Sequence, residues 1–223
     1  MNTYRTKDKK PYPNTEAGVR ALFAEHSPPF EVEKVEQLGG NIWAAFFPDG
    51  SGTRVYPEIG HFEQPPISYL METLGPMRDP ESVIAFVGKH GGSARRPLLV
   101  SEWAYQLPPE CGKIFWQVVT TCWDGFDRIP HSEYEELFET FLDSVPPCDV
   151  PETLTVYRGQ DTDAEKGLSW TRDRKVAEAF AYGHRGLNNP NPVVLEMEVY
   201  RGDVAFTCED RDEAEVVLLR IPD

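Results

Sequence analysis

A chain of 223 residues is long enough for one large domain or two small ones, since domains usually hold about 100–200 residues. A formal net charge of −15 makes the surface repel a nucleic-acid backbone, so no direct nucleic-acid partner is expected. The hydrophobic fraction of 40%, with five Trp, can build a core, while a mean hydropathy of −0.47 and no apolar run near the ~18 residues of a spanning helix exclude an integral membrane protein.

The N-terminal stretch MNTYRTKDKKPYPNT is basic and polar with no apolar segment behind its charges, so it does not read as a secretory signal, and a cytoplasmic protein is expected. Asn14 or Thr15 is a candidate cap for a short helix carrying Val19, Leu22 and Phe23 on one face, ended by Pro28 and Pro29. Three segments, Phe30 to Glu36, Ile42 to Phe47 and Arg54 to Tyr56, are separated by Gly39-Gly40-Asn41 and Pro48-Asp49-Gly50-Ser51-Gly52 and read as strands joined by turns. Residues 1–66 therefore read as a small α+β module of unassigned role.

Residues 67–145 read as mostly helical, with helical periodicity around Ile67 to Leu74, Glu81 to Val87, Cys111 to Trp123 and His131 to Leu142. Between them, Gly88 to Pro97 gathers Lys89, His90, Arg95 and Arg96 and reads as a solvated loop ahead of a phosphate site. The acids of Ser132-Glu133-Tyr134-Glu135-Glu136 suit the first turn of a helix, where they complement its dipole.

From Pro146-Pro147 the texture turns to strands: Leu154 to Tyr157, an alternating run through Val193, Leu195, Met197 and Val199, and a closing apolar stretch from Glu215 to Ile221. The fold class is α+β. Cys111, Cys122, Cys148 and Cys208 are irregularly spaced and read as reduced thiols, and His26, His61, His90, His131 and His184 are scattered outside any metalloprotease or hydrolase motif. Each histidine reads as a surface or packed residue.

Three features of the last third belong together. Tyr157-Arg158-Gly159 ends a strand and places a guanidinium beside accessible backbone. Ser169-Trp170-Thr171 puts two hydroxyls on one side of a strand and the indole on the other, ahead of a helix capped by Asp173 with an apolar stripe at Val176, Ala177, Phe180 and Ala181. Glu213-Ala214-Glu215 opens the closing strand and, if that strand has begun, brings two carboxylates to one face. Each alone is ordinary: a surface arginine, a core helix, a solvated strand end.

In this order and spacing the trio resembles the arginine–serine–glutamate class of mono-ADP-ribosyltransferases, in which a strand ending in arginine, a Ser-x-Ser or Ser-x-Thr strand and a later Glu-x-Glu strand follow one another. The resemblance covers the last third. It departs from the family pattern in the compact span between Arg158 and Glu215 and in Trp170, at a position that is often small or polar. It implies an ADP-ribosyltransferase-like domain over residues 67–223, with a helical lead-in (67–145) and a core of two packed antiparallel sheets around an NAD cleft (146–223).

The resemblance also implies roles. NAD is a substrate and no metal is required; Glu215 stabilises the oxocarbenium-like ribose and Glu213 orients the acceptor; Arg158 and Ser169 hold the cofactor end, with Gly159, Thr171 and an aromatic ring from Tyr157 or Tyr182 beside it. The Glu-x-Glu spacing is associated with arginine as the protein acceptor, matching the acidic Thr207 to Asp212 segment that would recognise it. Gly183 to Pro192, with Asn188 and Asn189, is a candidate loop over the cofactor. The alternatives are an NAD glycohydrolase, in which water replaces the acceptor, and a non-catalytic acidic binding or inhibitory protein. A compact transferase with an added module is a toxin-like, effector arrangement, acting in the cytoplasm of its own or a host cell.

Overall fold

The computed structural model describes residues 4–5, 10–183, 189–208 and 213–222. It divides into two compact units, the first holding residues 1–77 and 85–91, the second residues 78–84 and 92–223.

In the first unit, helix α1 (Glu16–Ala24) starts where Thr15 accepts a hydrogen bond from the Gly18 amide. Asn14, the other candidate cap, instead accepts from the Trp43 indole at 2.6 Å. Strands β1 (Tyr4–Arg5), β2 (Lys34–Gly39), β3 (Ile42–Phe46), β4 (Gly52–Tyr56) and β5 (His61–Phe62) form an antiparallel sheet in the order β1-β5-β4-β3-β2. Alternation decides which residues point inward: Trp43 and Ala45 from β3 and Val55 from β4 join Val19, Leu22 and Phe23 of α1 in one core. Phe23 lies edge-on to Phe47 at 5.4 Å and against Phe62 at 4.9 Å. The first strand was expected from Phe30, but Phe30 turns into this core and ladder pairing begins at Lys34.

Helix α2 (Ile67–Leu74) belongs to this unit, so the break falls after the expected residue 66. The reason is local. Asp49 and Ser51, in the β3–β4 turn, accept hydrogen bonds from the Ser68 and Ile67 amides at 2.8 and 3.2 Å, and Tyr69 packs on Phe30 at 5.2 Å. The turn thus supplies the acceptors that the first turn of α2 requires.

Helix α3 (Pro80–His90) is shared between the units. In the second unit follow α4 (Arg96–Ala104), α5 (Gly112–Cys122), a 3-10 turn at Trp123–Gly125 and α6 (His131–Thr140). The loop expected over Gly88 to Pro97 is corrected: its ends lie in α3 and α4. Helix α4 buries Pro97, Leu99, Val100, Ser101, Trp103 and Ala104, and a helix buried nearly all round carries no amphipathic period.

Strands β6 (Thr153–Asp161), β7 (Ser169–Thr171), β8 (Pro192–Tyr200), β9 (Val204–Cys208) and β10 (Glu215–Leu218), with helix α7 (Arg174–Ala181) between β7 and β8, complete the unit. They form one antiparallel sheet in the order β8-β6-β7-β10-β9, where two packed sheets were expected; the other sheet of the molecule is in the first unit. The sheet is nearly two, however. β6 and β8 pair along their whole length, β7, β10 and β9 pair with one another, and the halves meet at one register pair, Tyr157 opposite Thr171. Val156, Trp170, Val199, Val204 and Val216 form the core of the sheet. Phe206 of β9 reaches the helical aromatics, edge-on to Trp123 at 5.4 Å and Trp116 at 6.3 Å. Among the described residues no helix is long and apolar enough to cross a membrane.

Candidate active site

Beyond the Tyr157–Thr171 pair, β6 and β7 part, and a cleft of about 290 Å³ opens between them under α7. Arg158, Gly159, Gln160, Ser169, Thr171, Glu213 and Glu215 line it. A wider chamber of about 860 Å³, walled by Trp123, Phe126, Arg128 and His131, shares Arg158, Ser169, Phe180, Glu213 and Glu215 with it. Both lie in or near the roughly 300–1,000 Å³ of small-molecule sites.

Arg158 bridges the gap. Its Nη1 donates to the Ser169 carbonyl at 2.6 Å and its Nε donates to Gln160 Oε1 at 2.8 Å, while Gln160 Nε2 donates to the Ala164 carbonyl at 2.7 Å. Burial lowers the arginine's pKa and the nearby Glu215 carboxylate opposes that shift. A planar cation with two of its donors fixed in this way keeps three N–H groups in a set direction.

Gly159 is required by close approach. A Cβ there would lie 1.8 Å from the Ala177 carbonyl oxygen, so α7 packs directly on β6 backbone. Asp173 caps α7 by accepting from the Lys175 amide, as its sequence position indicated. At the other end Asn189 Nδ2 donates to the Phe180 and Ala181 carbonyls at 3.0 and 2.9 Å, satisfying orphan acceptors of the last turn. Asn189 also lines the cleft; Asn188, with the rest of 184–188, lies outside the described residues.

Glu215 begins β10, its backbone set opposite Thr171 and Cys208, and its Oε1 accepts from the Trp123 indole at 3.0 Å. Tyr157, Thr171 and Glu215 thereby stand in a row across three strands. Glu213 reaches the cleft by another route than strand alternation. Ala214 has φ +45°, in the left-handed region, so β10 has not begun at Glu213, and the turn brings both carboxylates to the same walls. Thr171 Oγ1 donates to the Glu213 carbonyl at 2.5 Å and accepts from the Asp173 amide at 3.0 Å. Its hydroxyl is thus engaged in bracing the β10 turn and the α7 cap. The expected acceptor-recognition segment, Thr207 to Asp212, lies outside the described residues from Glu209 onward.

Of the two aromatic candidates, Tyr157 lines the cleft with the Arg174 guanidinium 5.7 Å over its ring. Tyr182 is 74% exposed just past α7 and is not a lining residue.

Gln160, Trp123 and His131 are among the lining residues not singled out from the sequence. Gln160 is two residues from Arg158 on one strand, a spacing that could have flagged it. Trp123 and His131 come from the helical segment, and nothing local signals them. His131 Nδ1 accepts from the Leu168 amide at 3.1 Å, placing its proton on Nε2, and burial, with Arg158 adding to it, lowers its pKa to about 4. A neutral imidazole therefore stands beside the guanidinium.

No family model matches the sequence, and neither a curated protein nor a solved structure matches the chain. The cleft offers a pinned guanidinium suited to an anion or a ribose, two carboxylates suited to a developing cation, and aromatic rings suited to a flat heterocycle. Among the described residues no group of three or more His, Cys, Asp or Glu is placed to hold a metal ion.

Proposed function

We propose that the protein is a mono-ADP-ribosyltransferase that transfers ADP-ribose from NAD to a protein side chain, with arginine as the acceptor. The observation that carries the reading is the convergence of Arg158, Ser169, Glu213 and Glu215, from three separate stretches of sequence, on one cleft where β6 and β7 part. NAD offers a pyrophosphate, two riboses and a flat cationic ring. Arg158 would hold phosphate or ribose, Ser169 and Gly159 would border the nicotinamide end, and the Tyr157 ring would flank it.

In this reading the bond between ribose C1′ and the nicotinamide nitrogen breaks, nicotinamide leaves with the electron pair, and Glu215 stabilises the resulting oxocarbenium-like ribose. The acceptor nitrogen then bonds to C1′ while Glu213 takes its proton. The pairing of one carboxylate for the cation with one for the acceptor separates hydrolysis from transfer.

Nicotinamide release from NAD, measured with and without a cell lysate, tests the reading. Wild type should release nicotinamide and label a protein, and Glu215→Gln should abolish both, because the isosteric amide removes charge while keeping shape. Glu213→Gln should keep hydrolysis and lose labelling. Release without labelling would make the enzyme an NAD glycohydrolase. Neither release nor NAD binding, with lysate present, would overturn the reading in favour of a non-catalytic acidic binding protein.

A further inference from the structure

We infer that Trp123, from the helical segment, is a positioning residue that holds the Glu215 carboxylate for catalysis, an inference that rests on the NAD-cleaving reading above. The two residues are 92 positions apart, and the indole Nε1–H donates to Glu215 Oε1 at 3.0 Å.

The direction of this donor is set by packing and not by the bond itself. Trp123 is 2% exposed, and its ring is enclosed by Phe206 at 5.4 Å, Tyr134 at 5.5 Å, Phe126 at 5.7 Å and Phe138 at 6.1 Å, the first two edge-on. An indole fixed on so many sides presents its N–H in one direction whether or not a carboxylate is there, which is the preorganisation that catalytic electrostatics requires. The N–H in turn needs an acceptor once buried, and Glu215 provides it.

Pairing with Thr171 and Cys208 fixes the backbone of Glu215, but three side-chain torsions remain between that backbone and the carboxylate. The indole removes this freedom by engaging one oxygen, so that the orientation of the second follows. Arg158 attracts the same carboxylate electrostatically. The two holders differ in kind. A neutral N–H orients a carboxylate without cancelling its charge, and that charge is what a cationic ribose in the transition state needs.

The test compares wild type with Trp123→Phe, which keeps an aromatic ring in the same cage and deletes the donor. Trp123→Phe should lower kcat for nicotinamide release about 10–100-fold, the range for losing a group that orients a reacting one, and leave KM for NAD within about twofold. An unchanged kcat in a variant whose thermal unfolding is intact would overturn the inference alone. A second measurement does not depend on that variant folding: the indole N–H resonances of 15N-tryptophan-labelled wild type and Glu215→Gln. The Trp123 resonance should shift in Glu215→Gln, because its acceptor changes from a charged carboxylate to a neutral amide oxygen. If none of the five indole resonances responds, the bond does not exist and the inference fails. If wild type turns over no NAD while the Trp123 resonance still responds to Glu215→Gln, the bond is packing alone; the proposed reaction fails and the catalytic role with it.

Discussion

Thr171 donates its hydroxyl proton to the Glu213 carbonyl at 2.5 Å, tying the strand that carries Ser169 to the turn that precedes Glu215. The same oxygen accepts from the Asp173 amide, so one buried side chain aligns two chain segments of the cleft and starts α7. Thr171→Val keeps the shape and leaves a carbonyl and an amide without that partner. Stability should fall by about 1–3 kcal/mol, while Thr171→Ser should stay near wild type. Thermal unfolding checks this, at about 2–4 °C per kcal/mol for a chain of this length.

At Gly159 the smallest possible enlargement is blocked by backbone, since the added methyl would meet the Ala177 carbonyl oxygen at 1.8 Å. Gly159→Ala must displace α7 from β6. A loss of about 1–3 kcal/mol is expected from the overpacking. Because α7 roofs the cleft, the NAD binding that the proposed reading requires should, measured by calorimetry, weaken in parallel with the drop in melting temperature.

Ala214 stands at φ +45° between the two glutamates. An alanine in this region bears roughly 1–2 kcal/mol of strain that glycine does not, offset in part by glycine's greater freedom when unfolded. Ala214→Gly should therefore melt at or up to a few degrees above wild type, and Ala214→Val, branched at Cβ, should lose about 1–2 kcal/mol. A Val variant as stable as wild type would contradict the left-handed turn.

His131 has a pKa lowered to about 4 by its burial and by Arg158. The unfolded histidine titrates near 6.5, so between these values the unfolded chain binds the additional proton. Its contribution to stability is full above about pH 6.5, declines as the pH falls toward 4, and is lost below that. Replacing it by Gln should flatten the part of the stability–pH profile between pH 6.5 and 4 that wild type shows in excess of the variant, by an amount on the order of 3 kcal/mol. Urea unfolding of both proteins across that range measures the difference.

What the sequence made legible follows the range of the interactions involved. Helix α1, its Thr15 cap and the alternating strand β8 are local patterns, and the periodicity expresses them directly. So are Ser169 and Glu215, each the first residue of its strand, whereas Arg158, expected at a strand end, lies inside β6, which stays paired with β8 as far as Asp161. Helix α4 escaped because burial on nearly every side erases the amphipathic period, and an arginine-bearing start looked like a loop. The single sheet of the second unit escaped because strand composition reports pairing but not partners. Trp123 and His131 reach the cleft only through the packing of helices on β9 and β7, and no spacing in the chain encodes that. The Glu213–Glu215 pair was placed together for a reason the backbone replaces: a left-handed turn does what strand alternation was expected to do.

The confinement of the β6–β7 ladder to Tyr157 and Thr171 has a consequence for how such a binding slot can change. Where two strands are laced by main-chain bonds, their separation is fixed at about 4.8 Å whatever side chains they carry. Past this pair the separation is held by Arg158 and its brace Gln160. The gape of the slot is thus written in two side chains, and its dimensions can be retuned by point substitution while the rest of the ladder keeps its register.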